Sequence, residues 1–160
     1  MKVLGIDPGA GGALAFFDTE TGDVDIVDMP TVEIKRGQRF VRHVSAPLLA
    51  DILRGRNDIS EAFVEKVGAM PGQGVASMFA FGRAAGVIEG VLAGLEIPIT
   101  HVPPQEWIKA MRVVGGKDGS RQRASQLFSR QAGLFARKKD DGRSDAALLA
   151  AYGAKLTQSN

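Results

Sequence analysis

The stretch Lys2-Val3-Leu4-Gly5-Ile6-Asp7-Pro8-Gly9-Ala10-Gly11-Gly12-Ala13-Leu14-Ala15-Phe16 decides the fold. It reads as a short buried strand ending on a carboxylate, a glycine-rich turn, and a second strand. Two further acids share the setting of Asp7. Ala62-Phe63-Val64-Glu65-Lys66-Val67 is another apolar strand, and it places Glu65 among residues that would otherwise be core. Near the end, Asp140-Asp141-Gly142-Arg143-Ser144-Asp145-Ala146-Ala147-Leu148-Leu149 puts Asp145 on the first turns of an apolar helix. Carboxylates at core-like positions are costly unless paired or bound to a cation. Three of them call for a cation.

Working outward, strands are expected at Lys2–Ile6, Gly12–Asp18 and Asp23–Asp28. The polar link Thr19-Glu20-Thr21-Gly22 makes these three an antiparallel meander. Thr31–His43 is polar and basic, holds Gly37, and reads as a mobile loop. Ser45 and Pro47 supply an N-cap and an early proline for a helix to about Arg54. A fourth strand at Ala62–Val67 precedes a long helix from about Ser77 to Gly94. Gly82, Gly86, Gly90 and Gly94 recur in that helix every fourth residue. An interior glycine costs up to ~1 kcal/mol relative to alanine, so the stripe implies close backbone packing. The domain's own sheet is the favoured partner, ahead of a second subunit. Ile97–Val102 is the fifth strand, and a short helix follows with Trp107 as a core anchor. Val113–Ser120 reads as a flexible basic loop, Ser120 caps a helix to about Gly133, and the last helix covers Gly142–Lys155. The expected architecture is α/β: a five-stranded mixed sheet flanked by helices, with residues 1–160 forming one domain.

Composition sets the frame. Hydrophobic and charged fractions of 44% and 24% are those of an ordinary globular protein. No apolar run approaches the roughly 20 residues of a membrane span, so no membrane partner is expected. The N-terminus runs straight into a strand without a signal-peptide pattern. Zero cysteines exclude disulfides and zinc–thiolate sites and fit a cytoplasmic setting, with an organelle left open. Net charge of +2 hides an asymmetry. Residues 1–100 carry nine Lys/Arg against thirteen Asp/Glu, and residues 101–160 carry eleven against five. A basic half beside an acidic site suits a polyanionic partner, and equally a solvated helical face.

If the first and fourth strands lie side by side, Asp7 and Glu65 face each other and the last helix delivers Asp145. Clustered carboxylates favour hard divalent cations, Mg²⁺ with Mn²⁺ as substitute. Two such ions about 4 Å apart activate water on one side of a phosphodiester and stabilise the leaving oxygen on the other. Asp141, one helical turn before Asp145, is either a fourth ligand or the helix cap, with the ligand reading narrowly favoured.

At these residues the chain resembles the RuvC-type Holliday junction resolvases of the RNase H-like superfamily. The likeness rests on Gly5-Ile6-Asp7-Pro8-Gly9, Val64-Glu65, Asp145-Ala146, the Val113-Val114-Gly115 loop with Lys117, and the glycine-rich long helix. Met70-Pro71-Gly72-Gln73-Gly74 and Asp141-Gly142-Arg143-Ser144-Asp145 look closer to the phage and organellar branch. Two positions depart from the bacterial pattern. Gly68-Ala69-Met70 stands where an aromatic follows the strand-four Glu, and Gly142 stands where an acid or His precedes the final Asp by three residues. The resemblance implies an RNase H-like fold and a homodimer that cuts two strands of four-way junction DNA.

Other readings remain open from the residues alone. A nuclease of this fold could take another branched DNA or an RNA–DNA hybrid. A junction-binding protein without catalysis and an actin-like ATPase belong to different classes; the ATPase needs a second phosphate loop that 160 residues cannot hold. For DNA contacts the residues expected are Lys109, Lys117, Arg121 and Arg123, with Met70 and Gln73 close to the site. Lys117 leads, because its glycine neighbours let phosphates approach. For Met70 and Phe79 packing is favoured over a DNA contact near the site, and neither His43 nor His101 is expected to bind metal.

Overall fold

A computed structural model describes residues 1–56 and 58–159. β1 (Lys2–Asp7), β2 (Ala13–Asp18) and β3 (Val24–Asp28) form the expected meander. After a hairpin of β4 (Thr31–Arg36) and β5 (Arg39–Val44) come α1 (Ala46–Arg54) and β6 (Ile59–Glu65). Then follow α2 (Val75–Gly94), β7 (Ile99–Val102), α3 (Pro104–Ala110), α4 (Gly116–Leu127) and α5 (Asp141–Ser159). Two 3-10 segments, Ser129–Phe135 and Lys138–Asp140, link α4 to α5. The main sheet has the order β3-β2-β1-β6-β7, with β1 antiparallel to β2 and parallel to β6. β1 is therefore the central strand.

Side-chain alternation along β1 sorts residues to two faces. Leu4 and Ile6 join Leu14, Val64, Leu49, Leu53, Ile88 and Leu92 in one core, under α1 and α2. Val3 points the other way, with Phe63, Trp107, Met111, Phe128 and the Ala146–Ala151 segment of α5. Gly5 and Asp7 follow Val3 by steps of two, and Glu65 follows Phe63, so both acids share the α5 face. The β1–β6 register runs Gly5↔Phe63 and Ile6↔Val64, which brings Asp7 and Glu65 to the same end. α5 lies directly on β1. A Cβ on Gly5 would stand 2.2 Å from the Ala146 carbonyl oxygen, so only glycine admits this approach.

Several expectations need correcting. Thr31–His43 is a β-hairpin and not a loop; its pattern was missed because almost none of its side chains is buried. α4 begins at Gly116, so the basic loop is shorter than expected, and Ser120 is buried within the helix instead of capping it. Positions 82, 86, 90 and 94 do not pack on the sheet: an added Cβ at any of them would meet nothing within 4 Å. Phe79 is 71% exposed and Met70 is exposed too, contrary to a packing role. α2 also reaches the length and apolar character of a membrane span, at 20 residues with mean hydropathy 1.4. Small residues together with Arg83 and Glu89 had disguised this run.

Candidate active site

Asp7 ends the central strand, where the chain leaves the sheet through a tight turn. The Gly12 amide donates to the Gly9 carbonyl at 2.9 Å, and the Gly9 amide donates to Asp7 Oδ1 at 3.4 Å. α5 closes over this turn. A Cβ at Gly142 would lie 2.7 Å from the Gly11 carbonyl and 3.0 Å from Asp7 Oδ2. That contact explains why position 142 carries no acid or histidine: any side chain there would enter the space of Asp7.

The structure brings Asp7, Glu65, Asp141 and Asp145 into one electrostatic neighbourhood. The Asp7 carboxyl is pushed from 3.8 to about 7, first by burial, then by the charges of Asp145, Glu65 and Asp141. Burial raises Glu65 too, reinforced by Asp145 and opposed by a hydrogen bond from Trp107. Asp145 is raised by burial and by Asp141, against the pull of Ser120 and Lys117. Neighbouring carboxylates that all resist ionisation need a proton or a cation between them.

Two neighbours act on the cluster. The Trp107 indole, 2% exposed, donates from Nε1 to Glu65 Oε2 at 2.9 Å. It is the expected core anchor with a second task that its polar edge makes possible. Ser120, buried in α4, draws the Asp145 pKa down against the effect of burial. Sequence reading assigned neither interaction, because both partners come from elements remote in the chain.

Asp140 and Asp141 divide the roles that sequence alone left open. Asp140 is buried and accepts from the Arg137 amide at 2.8 Å and from its guanidinium, so Asp140 holds the entry to α5. Asp141 has helical angles and pairs through Oδ2 with Lys117 Nζ at 2.8 Å. One turn separates it from Asp145, and its charge acts on that residue. Arg143 clamps the helix start to β3 through paired bonds of 2.6 and 2.7 Å to Asp28.

The cluster fits a hard divalent cation. All four donors are carboxylate oxygens, and Asp145 Oδ1 is buried without a hydrogen-bond partner. Among the described residues, no three acidic or histidine side chains are gathered tightly enough to hold an ion as they stand. Mutual repulsion keeps anions apart, and the Lys117 ammonium meets Asp141 instead.

The expected DNA residues fall into two groups. Lys109 and Lys117 are exposed, as are Met70 and Gln73. Arg121 is engaged with Asp118 and the Ala136 carbonyl, and Arg123 Nε donates to the Met111 carbonyl at 2.8 Å. His101 meets Glu89 at 2.8 Å, and His43 lines a cavity between β5 and α2.

A β3-β2-β1-β6-β7 mixed sheet with acids at the ends of β1 and β6 and on the covering helix defines an RNase H-like fold of the RuvC type. No family model matches the chain. Over 98% of this chain and 96% of the other, it superposes on T. thermophilus RuvC in complex with Holliday junction substrate, with TM-score 0.64 and 16% identity. The yeast mitochondrial Holliday junction resolvase Ydc2 gives TM-score 0.58 and 17% identity over 98% and 80%. At these identities the likeness is one of fold. In sequence, 92 residues, 56% of the chain, are 32% identical to the chloroplastic Holliday junction resolvase MOC1 of Chlamydomonas reinhardtii. The match spans about 10% of that relative's length.

Proposed function

We propose that residues 1–160 form one nuclease domain that cuts four-way DNA junctions by divalent-metal-dependent phosphodiester hydrolysis. The observation that carries this reading is the half-buried carboxylate cluster with the orphaned Asp145 oxygen. The likeness to proteins named as Holliday junction resolvases supplies the substrate class.

Asp7, Glu65 and Asp145 would hold the metal, with Asp141 as fourth oxygen donor. When bound, paired Mg²⁺ or Mn²⁺ ions supply an activated water and neutralise charge on the departing oxygen. The chain's own groups do the rest. Trp107 fixes one Glu65 oxygen and so sets which lone pairs face the site. Lys117 sits at Asp141 with its stem in solvent, free to turn its ammonium to a phosphate once a cation takes the carboxylate. Burial of Asp7 excludes water from one side of the cluster and strengthens every charge interaction there.

A homodimer suits this substrate, because two identical sites meet two equivalent strands under two-fold symmetry. The outer face of α2 supports the pairing. Val75 and Phe79 are exposed, and the four open glycines let a second helix approach closely.

Labelled four-way junction, duplex, flap and RNA–DNA hybrid, each incubated with Mg²⁺ or EDTA, test the reading. Metal-dependent paired nicks in the junction alone are expected. Faster cutting of the hybrid or flap would reassign the substrate, and junction binding without cutting in Mg²⁺ or Mn²⁺ would mark a binding protein.

A further inference from the structure

The β4–β5 hairpin stands apart from the main sheet and has no role in the site described above. Its register pairs Arg36 with Arg39, Lys35 with Phe40, and Glu33 with Arg42. Like charges placed directly opposite destabilise a hairpin, and an isolated two-stranded ribbon is marginal in water. This one has an Arg–Arg pair at its tip, beside Gly37. Among the described residues, none of Lys35, Arg36, Arg39 and Arg42 lies within ion-pair distance of a carboxylate. Arg54, Arg56, Arg121, Arg130, Arg137 and Arg143 do, while Arg83, Arg112 and Arg123 resemble the ribbon in lacking such a pair among the described residues. A cationic ribbon that forgoes internal partners fits an external anion.

Its position says which anion. Arg42 lines two cavities that meet at Ala10, three residues beyond Asp7. One, of about 290 Å³, lies between β5 and α2 and includes Gln73, Ser77 and Arg83. The other lies by the Gly11–Gly12 turn and includes Arg137 and Lys139 together with Asp28 and Asp140. From Arg42 the strand runs roughly 10 Å outward to Arg39, at about 3.4 Å per residue; alternation puts Arg42 and Lys35 on one face of the ribbon and Arg36 and Arg39 on the other, so cations flank both faces of the tip. Neither cavity is lined by Asp7, Glu65, Asp141 or Asp145; both reach the neighbourhood of that site at the turn that follows Asp7.

We propose that this hairpin is a clamp for the duplex arm beyond the cut site. Lys35, Arg36 and Arg39 bind phosphates of that arm, and Arg42 joins this surface to the strand entering the carboxylate cluster. The inference rests on the nuclease reading and adds a surface by which branched DNA is distinguished from a short linear duplex. The clamp acts on affinity and leaves the chemical step alone, since none of the three tip cations reaches the carboxylates.

The test compares the full chain with a Lys35→Ala, Arg36→Ala, Arg39→Ala variant on junctions with long arms and on the same junctions with truncated arms. On long arms the variant binds about tenfold or more weakly at physiological salt. Its log–log salt slope falls by about 0.9 for each phosphate that the variant no longer neutralises. Cleavage at saturating junction is unchanged, and on truncated arms the two proteins bind alike. Equal affinity and slope on long arms, or an equal deficit on truncated arms, overturns the clamp. A change of oligomeric state in the variant overturns it too, because the ribbon would then be a subunit interface. If the wild type binds junctions but cuts none, the nuclease reading fails while the clamp is still measured. Where the triple variant melts lower than wild type, Arg39→Ala alone, which relieves the opposed arginine pair, provides the readout.

Discussion

Asp7, Glu65 and Asp145 carry the strongest expectation at the scale of single residues. Asp7→Asn, Glu65→Gln and Asp145→Asn should each reduce junction cleavage by orders of magnitude while leaving junction binding in EDTA largely intact. Asp7→Asn should also melt higher than wild type in EDTA at neutral pH, because it removes a carboxylate that burial and three neighbours hold at about 7. Wild-type cleavage by any one of these variants would remove that residue from the site. Asp141 is now separable from a capping role, since Asp140 holds the start of α5. Asp141→Asn is expected to lose cleavage at limiting Mg²⁺ with an unchanged melting temperature; full activity at every Mg²⁺ concentration would leave it only as the partner of Lys117. Trp107→Phe keeps most of the packing but deletes the hydrogen bond that opposes the rise of the Glu65 pKa. Loss of such an orienting donor typically costs 10- to 100-fold in metal affinity or activity. The acid limb of the cleavage profile should move to higher pH, and an unmoved limb would leave Trp107 a packing residue.

Among the elements, legibility followed burial. β1, β2, β6 and α5 were readable because each presents apolar residues to a core in the period of its own geometry, and an acid in such a pattern stands out. The β4–β5 hairpin was not readable: its basic residues and Gly37 looked like a loop and masked the alternation of Val32, Ile34 and Val41, none of which is buried. Trp107 and Ser120 were hidden for another reason. Their partners Glu65 and Asp145 lie in other elements, and no local spacing encodes such pairings. α2 was placed correctly and its glycines misread. Four-residue spacing says that one face is bare, whereas the fold decides whether that face turns inward or out. An outward stripe beside Val75 and Phe79 leads to a direct expectation for dimerisation. Gly86→Leu with Phe79→Ser should yield a monomer by sedimentation, with intact far-ultraviolet ellipticity and a loss of paired nicks in favour of single ones. A dimer that survives both changes would move the interface off α2.

The whole molecule couples charge to stability through the carboxylate cluster. Residues 101–160 carry the excess of positive charge, yet Arg121, Arg130, Arg137 and Arg143 spend it on internal carboxylates and hold α4, α5 and the 3-10 segments in place. Within the cluster Asp141 pairs with Lys117, whereas among the described residues Asp7, Glu65 and Asp145 have no ion-pair partner. Asp7 binds its proton at about 7 in the folded protein and at the ordinary 3.8 when unfolded, so between those values only the folded state keeps it. A raised acid therefore contributes stability that is complete below about 3.8 and lost as pH climbs through about 7. Glu65 and Asp145 are shifted in the same direction and deepen the loss. Asp28, lowered by its bonds to Arg143, works the opposite way and only in acid, below the range where Asp7 titrates. The metal-free protein should consequently melt lower at pH 8 than at pH 5.5. A divalent cation replaces the lost protons, and a ligand at about 100 times its dissociation constant adds about 2.7 kcal/mol. For a domain of 160 residues that corresponds to a rise of several degrees. Mg²⁺ should thus raise the melting temperature at pH 8 and hardly at pH 5.5, where protons already hold the site. Thermal melts at the two pH values, with EDTA and with Mg²⁺, check this. A metal-free melting temperature that rises towards pH 8, or one that Mg²⁺ leaves unmoved there, would show that the cluster is not a cation site.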